Sequence, residues 1–406
     1  MPDSRHHHHP HGACETTLTT GQILREICTR NFNIITLVNF LAMSVYYLVF
    51  VTSTAYARSA FGLSLSAAGL TSGMLVLGCL AGRFLTGHLI SVLGCRTSLF
   101  SGLGIIAASI ACFFFTDSAA SLFAERFATG FGIGVTSTVT GTVVAWVIPA
   151  EHRGFGVSIF SMSTALALAL GPFFGILLSH LLPYAILVRV NLATICACIA
   201  IALALRDLPV ISHHHRPGLE LNSYIDPRVV RFSLVAIVVC LGYGCTQAFM
   251  TSLAAERDLA ASASLFFLVY AAATMLTRPL TGRMYDARGE NALFYPIFLL
   301  TALAFCAMAY AHSALTLLLA ATLLGMGFGN FQSLGQAVAL SLVTRSRISQ
   351  ATTTFFIFFD FGCGVGPFLM GMIVPHYGYE GMYLALAGTI ILAAVMYHFL
   401  HGRTRA

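Results

Sequence analysis

Arg83–Gly94 reads RFLTGHLISVLG, and Arg278–Gly289 reads RPLTGRMYDARG. An arginine, a leucine, a threonine and two glycines coincide at an offset of 195 positions. The same offset lays GFGIG, with Gly130, Gly132 and Gly134, over GMGFG, with Gly325, Gly327 and Gly329. It also lays Gly171, Pro172 and Phe173 over Gly366, Pro367 and Phe368. Small residues let helices approach closely in a bilayer, which explains each glycine singly. It does not explain their common register. Duplication does, and it predicts two related halves.

The solvent of those halves follows from composition. Of 406 residues, 57% are hydrophobic and only 9% charged, with a mean hydropathy of +0.84. A soluble domain carries roughly 25% charged residues, so most of this surface faces lipid. A helix needs about 20 apolar residues to cross the hydrocarbon. Apolar runs of that kind fall at 32–54, 64–90, 97–116, 119–148, 155–179, 183–205, 229–252, 263–284, 291–311, 314–342, 351–374 and 380–400. They are too long for barrel strands, which alternate over about ten residues. The expected fold is an all-α membrane protein of twelve transmembrane helices in two pseudo-symmetric six-helix bundles. Its parts are a polar His-rich tail (1–31), a first bundle (32–206), a linker (207–228) and a second bundle (229–406). The tail has no apolar core of the kind a cleavable signal needs. Most of the eleven cysteines lie inside spans and read as small apolar residues.

Basic residues set the orientation, because they are retained on the cytoplasmic side. All 21 are arginines. With a cytoplasmic N-terminus, fifteen fall inside and three, Arg58, Arg189 and Arg257, outside; Arg83, Arg126 and Arg278 lie within spans. Both termini are therefore expected in the cytoplasm. The net charge of +6 is a topology signal and gives no reason to expect nucleic acid.

These features together resemble the major facilitator superfamily over about 370 residues. Gly87, Ser91, Gly94 and Arg96 are similar to its motif between helices two and three, with Ser91 where the family has an acid. The second copy, Gly282, Asp286 and Gly289, keeps the acid. Arg126, Gly130 and Gly134 resemble its fourth-helix motif, and Ala167, Gly171, Pro172 and Gly175 its fifth-helix motif of antiport-type exporters. The segments TRPLTGRMYD and FFDFGCGVGP resemble bacterial efflux proteins, opine-metallophore exporters among them. The resemblance implies a monomer in a bacterial inner membrane, moving a small solute by alternating access with protons as the coupling ion.

Ionisable groups at membrane depth are costly and so point to function. They are Arg83, Glu125, Arg126, Arg278 and Asp360. Asp360 is the one acid near a mid-span position. In the resembled fold helices two and eleven face each other, so Asp360 is expected to pair with Arg83 or Arg278. Its protonation would loosen a contact that favours one access state; the alternative is a permanent pair that locks packing. The resemblance points to Arg126 for proton coupling or anion contact. Glu125 is expected at an interface, in contact with water, and turned about 100° from Arg126 on the helix. The fold would line a cavity with spans one, four, seven and ten, which carry Asn39, Tyr46, Tyr47, Thr138, Tyr243, Gln247, Asn330, Gln332 and Gln336. Interhelical hydrogen bonding is the other use for such groups. Trp146 reads as an interfacial anchor.

His6 to His9, His11 and Cys14 crowd the tail, and His213 to His215 the linker. Such runs can bind metal; a solvated polar tract is the favoured reading, and no metal or cofactor is expected. No nucleophile–base set and no phosphate-cradling loop stands out, which argues against an enzyme. The leading expectation is proton-coupled export of a small organic solute. A proton symport importer and a non-transporting, transporter-like sensor are the alternatives.

Overall fold

A computed structural model of the chain describes residues 26–148, 153–206, 208, 225–344 and 348–404. The described elements are helices. Spans one, four, five and six are Arg30–Phe61, Ala119–Val147, Arg153–Leu181 and Tyr184–Ala202. Spans seven, eight, nine, eleven and twelve are Pro227–Glu256, Ala260–Arg288, Asn291–Ala309, Ile348–Gly371 and Val374–Leu400. Spans two and three run together as Leu65–Cys112, bent at Gly94. At 1.5 Å per residue that helix could cross a bilayer twice, so the eleven long apolar helices among the described residues supply twelve spans. The tail and most of the linker, with their histidines, lie outside the described residues.

The duplication reappears as geometry. Gly94 has φ 78° and ψ 165°, and Gly289, its partner at the 195 offset, has φ 76° and ψ 177°. That region is essentially open to glycine alone, so the repeated glycine marks a repeated bend. Ser118 and Ser313, again 195 apart, each open a helix with a reciprocal capping box, to Ser121 and Thr316. Each cap satisfies amides that a helix end leaves orphaned. Two buried clusters follow, one per half. Val51, Leu65, Ala169 and Ile176 cross over into the second, and Ala248 into the first.

Inside a half the small residues bring backbones into contact. A Cβ on Gly171 would meet Tyr47 Cβ at 2.8 Å and Ser44 O at 2.9 Å, fixing span five on span one. Its counterpart Gly366 would meet Leu241 O at 2.5 Å, fixing span eleven on span seven. The helices continue through Pro172 and Pro367. Gly87 faces open space. Gly282 and Asp286 lie in the eighth helix, and their side-chain surroundings lie outside what is described.

The halves differ where the sequence suggested sameness. Span ten, expected as one helix over 314–342, is two, Ala314–Met326 and Phe328–Ser341, parted at Gly327 with ψ −92°. Asn330 explains the break. Its Nδ2 donates to Met326 O at 3.0 Å and Gly325 O at 3.5 Å, and to Thr277 Oγ1 at 2.8 Å. The carbonyls that a broken helix frees are thus satisfied by a side chain. Span four carries GFGIG but has Val135 at that position, and it runs unbroken.

Candidate functional site

Side-chain bonds cross between the halves, and three of them frame the site. Ser66 Oγ donates to Phe368 O at 2.9 Å, and Thr251 Oγ1 to Val51 O at 3.0 Å. Both lie toward the face opposite the chain termini. Close approaches of Gly69 to Pro367 and of Gly73 to Gly364 join the same region. The third bond is deeper: Arg83 Nη1 donates to Asp360 Oδ2 at 2.6 Å.

Of the two arginines proposed for Asp360, then, Arg83 takes it. The pair is only partly enclosed, with 29% of the Arg83 side chain and 15% of the Asp360 side chain exposed. A low-dielectric setting strengthens the attraction, and residual exposure keeps it open to change. Cys79 lies beside the Arg83 guanidinium. Tyr46 and Tyr47 lie within the field of Asp360, and Cys363 follows Asp360 by one turn of the same helix. Tyr46 and Tyr47 meet edge to face, with centroids 5.1 Å apart.

Across from them stands an aromatic wall. Tyr243 stacks on Phe328 at 4.4 Å and on Tyr270 at 5.6 Å, and Gln247 Nε2 donates to its hydroxyl at 2.8 Å. Phe328 packs on toward Phe359, next to Asp360. One turn beyond Phe328 on the same face come Gln332 and then Gln336, both half-buried. Thr138 is half-buried, its hydroxyl returned to Gly134 O at 2.8 Å. Tyr270, Phe328, Phe359 and Cys79 did not stand out in the sequence. Apolar and aromatic residues fill every span, so only their spacing from Arg278, Gln332, Asp360 and Arg83 singles them out.

Four expected site residues have other tasks. Asn39 is buried, donating to Ser163 and Thr164 at 3.0 Å and accepting from Thr140 at 3.1 Å. It knots spans one, four and five together and does not line a cavity. Asn330 is buried likewise, in the span-ten break. Glu125, expected in contact with water, is 5% exposed, and Arg126 turns back onto it, Nη1 to Oε2 at 2.7 Å. Helical neighbours diverge at Cβ, but a long guanidinium can fold across. Arg126 Nη2 donates to Tyr184 at 3.0 Å and Glu125 accepts from Thr129 at 3.0 Å, while Phe113 packs over the cation at 5.7 Å. This neutral knot lies within the first half, toward the far face, and has no part in the bond between halves. Trp146 is exposed.

Among the described residues no group of His, Cys, Asp and Glu is arranged to hold a metal. The arrangement can make or break one charge pair between halves, beside a packed set of aromatic rings.

The family model for the Major Facilitator Superfamily matches residues 35–259 and 232–406. The chain belongs to this superfamily: it is a multi-pass membrane protein of the class that carries out secondary transport of a solute. An uncharacterized MFS-type transporter of Burkholderia pseudomallei (strain K96243) is 24% identical over 355 residues, covering 84% of this chain and 86% of that one. The uncharacterized MFS-type transporter YtbD of Bacillus subtilis (strain 168) is 24% identical over 328 residues, covering 77% and 80%. Among solved structures, the nucleoside transporter NupG superposes with a TM-score of 0.77 at 14% identity, covering 92% of this chain and 99% of that one.

Proposed function

We propose that this protein exports a small organic solute in exchange for protons, from the cytoplasmic to the outer side of a bacterial inner membrane. The observation that carries the reading is the Arg83–Asp360 pair, which ties the halves where the aromatic walls of both converge. A carboxylate that gains a proton loses its charge, and the tie then falls from an ion pair to a hydrogen bond from the guanidinium to a neutral carboxyl. Proton arrival therefore lowers the cost of separating the halves, which is what an exchanger needs. The fifth-helix pattern at Gly171, Pro172 and Gly175 favours export over symport import.

The test uses inverted membrane vesicles made acid inside and followed with a pH-quenched dye. Solutes from a broad panel are added outside, where the cytoplasmic face lies. Exchange predicts that at least one solute releases protons and restores fluorescence. Failure of every solute, or a deepening of the quench, contradicts it.

A further inference from the structure

Arg278 is the second-half counterpart of Arg83, 195 positions on, yet among the described residues nothing answers its charge as Asp360 answers that of Arg83. The position equivalent to Asp360 is Ala165. Among the described residues no carboxylate pairs with Arg278, and its side chain is exposed. It lies ten residues before Arg288, so about 15 Å inside the end of span eight. Helical side chains lean toward the helix N-terminus, which here turns the guanidinium away from the nearer membrane face. A short climb to that face's headgroups is thus against its geometry. Instead it points back toward Tyr270, two turns earlier on the same helix and the outer partner of the Tyr243–Phe328 stack. Span eight also packs against span five of the other half. Arg278 therefore stands on a helix that borders the space between the halves. With Arg83 and Asp360 cancelling, that space keeps one positive charge, and an uncompensated charge at membrane depth is costly.

We infer that the missing counter-charge is the cargo's own: Arg278 anchors a carboxylate of the transported solute, which is an organic acid. This rests on the reading of the central space as the cargo path. Arginine suits the task because its planar fork donates two parallel bonds to a carboxylate. Gln332 and Gln336, half-buried on the span-ten face below Phe328, offer neutral donors and acceptors for the remainder of such a solute.

The experiment is thermal unfolding of the full chain in lipid nanodiscs with succinate, citrate and glutamate as probes, against succinamide and putrescine. Wild type is expected to be stabilised by one or more of the carboxylates and by neither control. Arg278→Gln should need on the order of ten- to a hundredfold more carboxylate for the same shift, the loss of a charged hydrogen bond. Arg278→Lys should fall between. Equal response in Arg278→Gln overturns the inference, as does stabilisation by succinamide or putrescine, or by no carboxylate. Arg278-dependent stabilisation by phosphatidylglycerol alone would also overturn it, marking a lipid headgroup site. Proton release by a neutral solute, unchanged in Arg278→Gln, would sink the anion assignment and leave proton-coupled export standing. Absence of release by any solute would sink the export reading, whatever the probes do in nanodiscs.

Discussion

Asp360→Asn is expected to give a folded protein whose solute flux no longer responds to a pH gradient. Asparagine keeps the shape and can still accept a hydrogen bond from Arg83, so the halves remain in contact. What is lost is the charge and, with it, the site's ability to alternate between a strong and a weak tie. Removing one partner of a fully buried pair costs about 3–5 kcal/mol. This pair is 29% and 15% exposed, so the thermal midpoint should fall less than that figure implies. In the inverted-vesicle assay, solute-evoked proton release should drop to the level of empty vesicles. Downhill solute exchange, which needs no proton, should survive. Retained proton-driven flux in Asp360→Asn would make the pair a fixture of packing only.

Gly134→Val should leave no folded protein at all. The Cβ added at Gly134 falls on the carbonyl of Cys79, and one at Gly130 on that of Leu75. Gly78 and Gly82 meet Phe127 and Phe131 from the other side in the same way. Spans two and four are therefore in backbone contact, and a backbone cannot rotate aside as a side chain can. Overpacking usually costs about 1–3 kcal/mol. Here the two helices would have to part along several turns, in a solvent where close packing itself is what holds helices together. The measurement is the monodisperse fraction in size-exclusion chromatography after extraction. Gly104→Ala and Gly141→Ala, where an added Cβ meets nothing within 4 Å, should elute as the wild type does.

The contrast between the halves bears on what a sequence can tell. The 195 offset aligned Gly94 with Gly289, and the structure gives both the same backbone state. The offset also exposed Asp360 against Ala165, while the choice of Arg83 over Arg278 as its partner came only with the structure. It could not foretell the break in span ten, because GMGFG alone does not break a helix. The break needs Asn330 to reach back to Gly325 and Met326, and Thr277 to receive it. Nor could it place Asn39 or Glu125. In a soluble helix the polar stripe shows which face meets water. In these spans both faces are apolar, so an isolated polar residue reads the same whether it lines a cavity or knots two helices. Side-chain reach was the other blind spot, since a helical wheel records Cβ directions and not where a guanidinium ends.

The account's central claim is that two rigid halves exchange access across the bond between Arg83 and Asp360. The most direct test is a pair of spin-label distances, with labels carried on unnatural amino acids so that the eleven native cysteines stay in place. One pair, at Ser59 and Tyr377, spans the halves on the face opposite the termini. The other, at Val92 and Ala287, spans them on the terminal face. Lowering the pH, or introducing Asp360→Asn, should lengthen the first distance and shorten the second in the same population of molecules. Two distances that stay fixed, or that lengthen together, would contradict it.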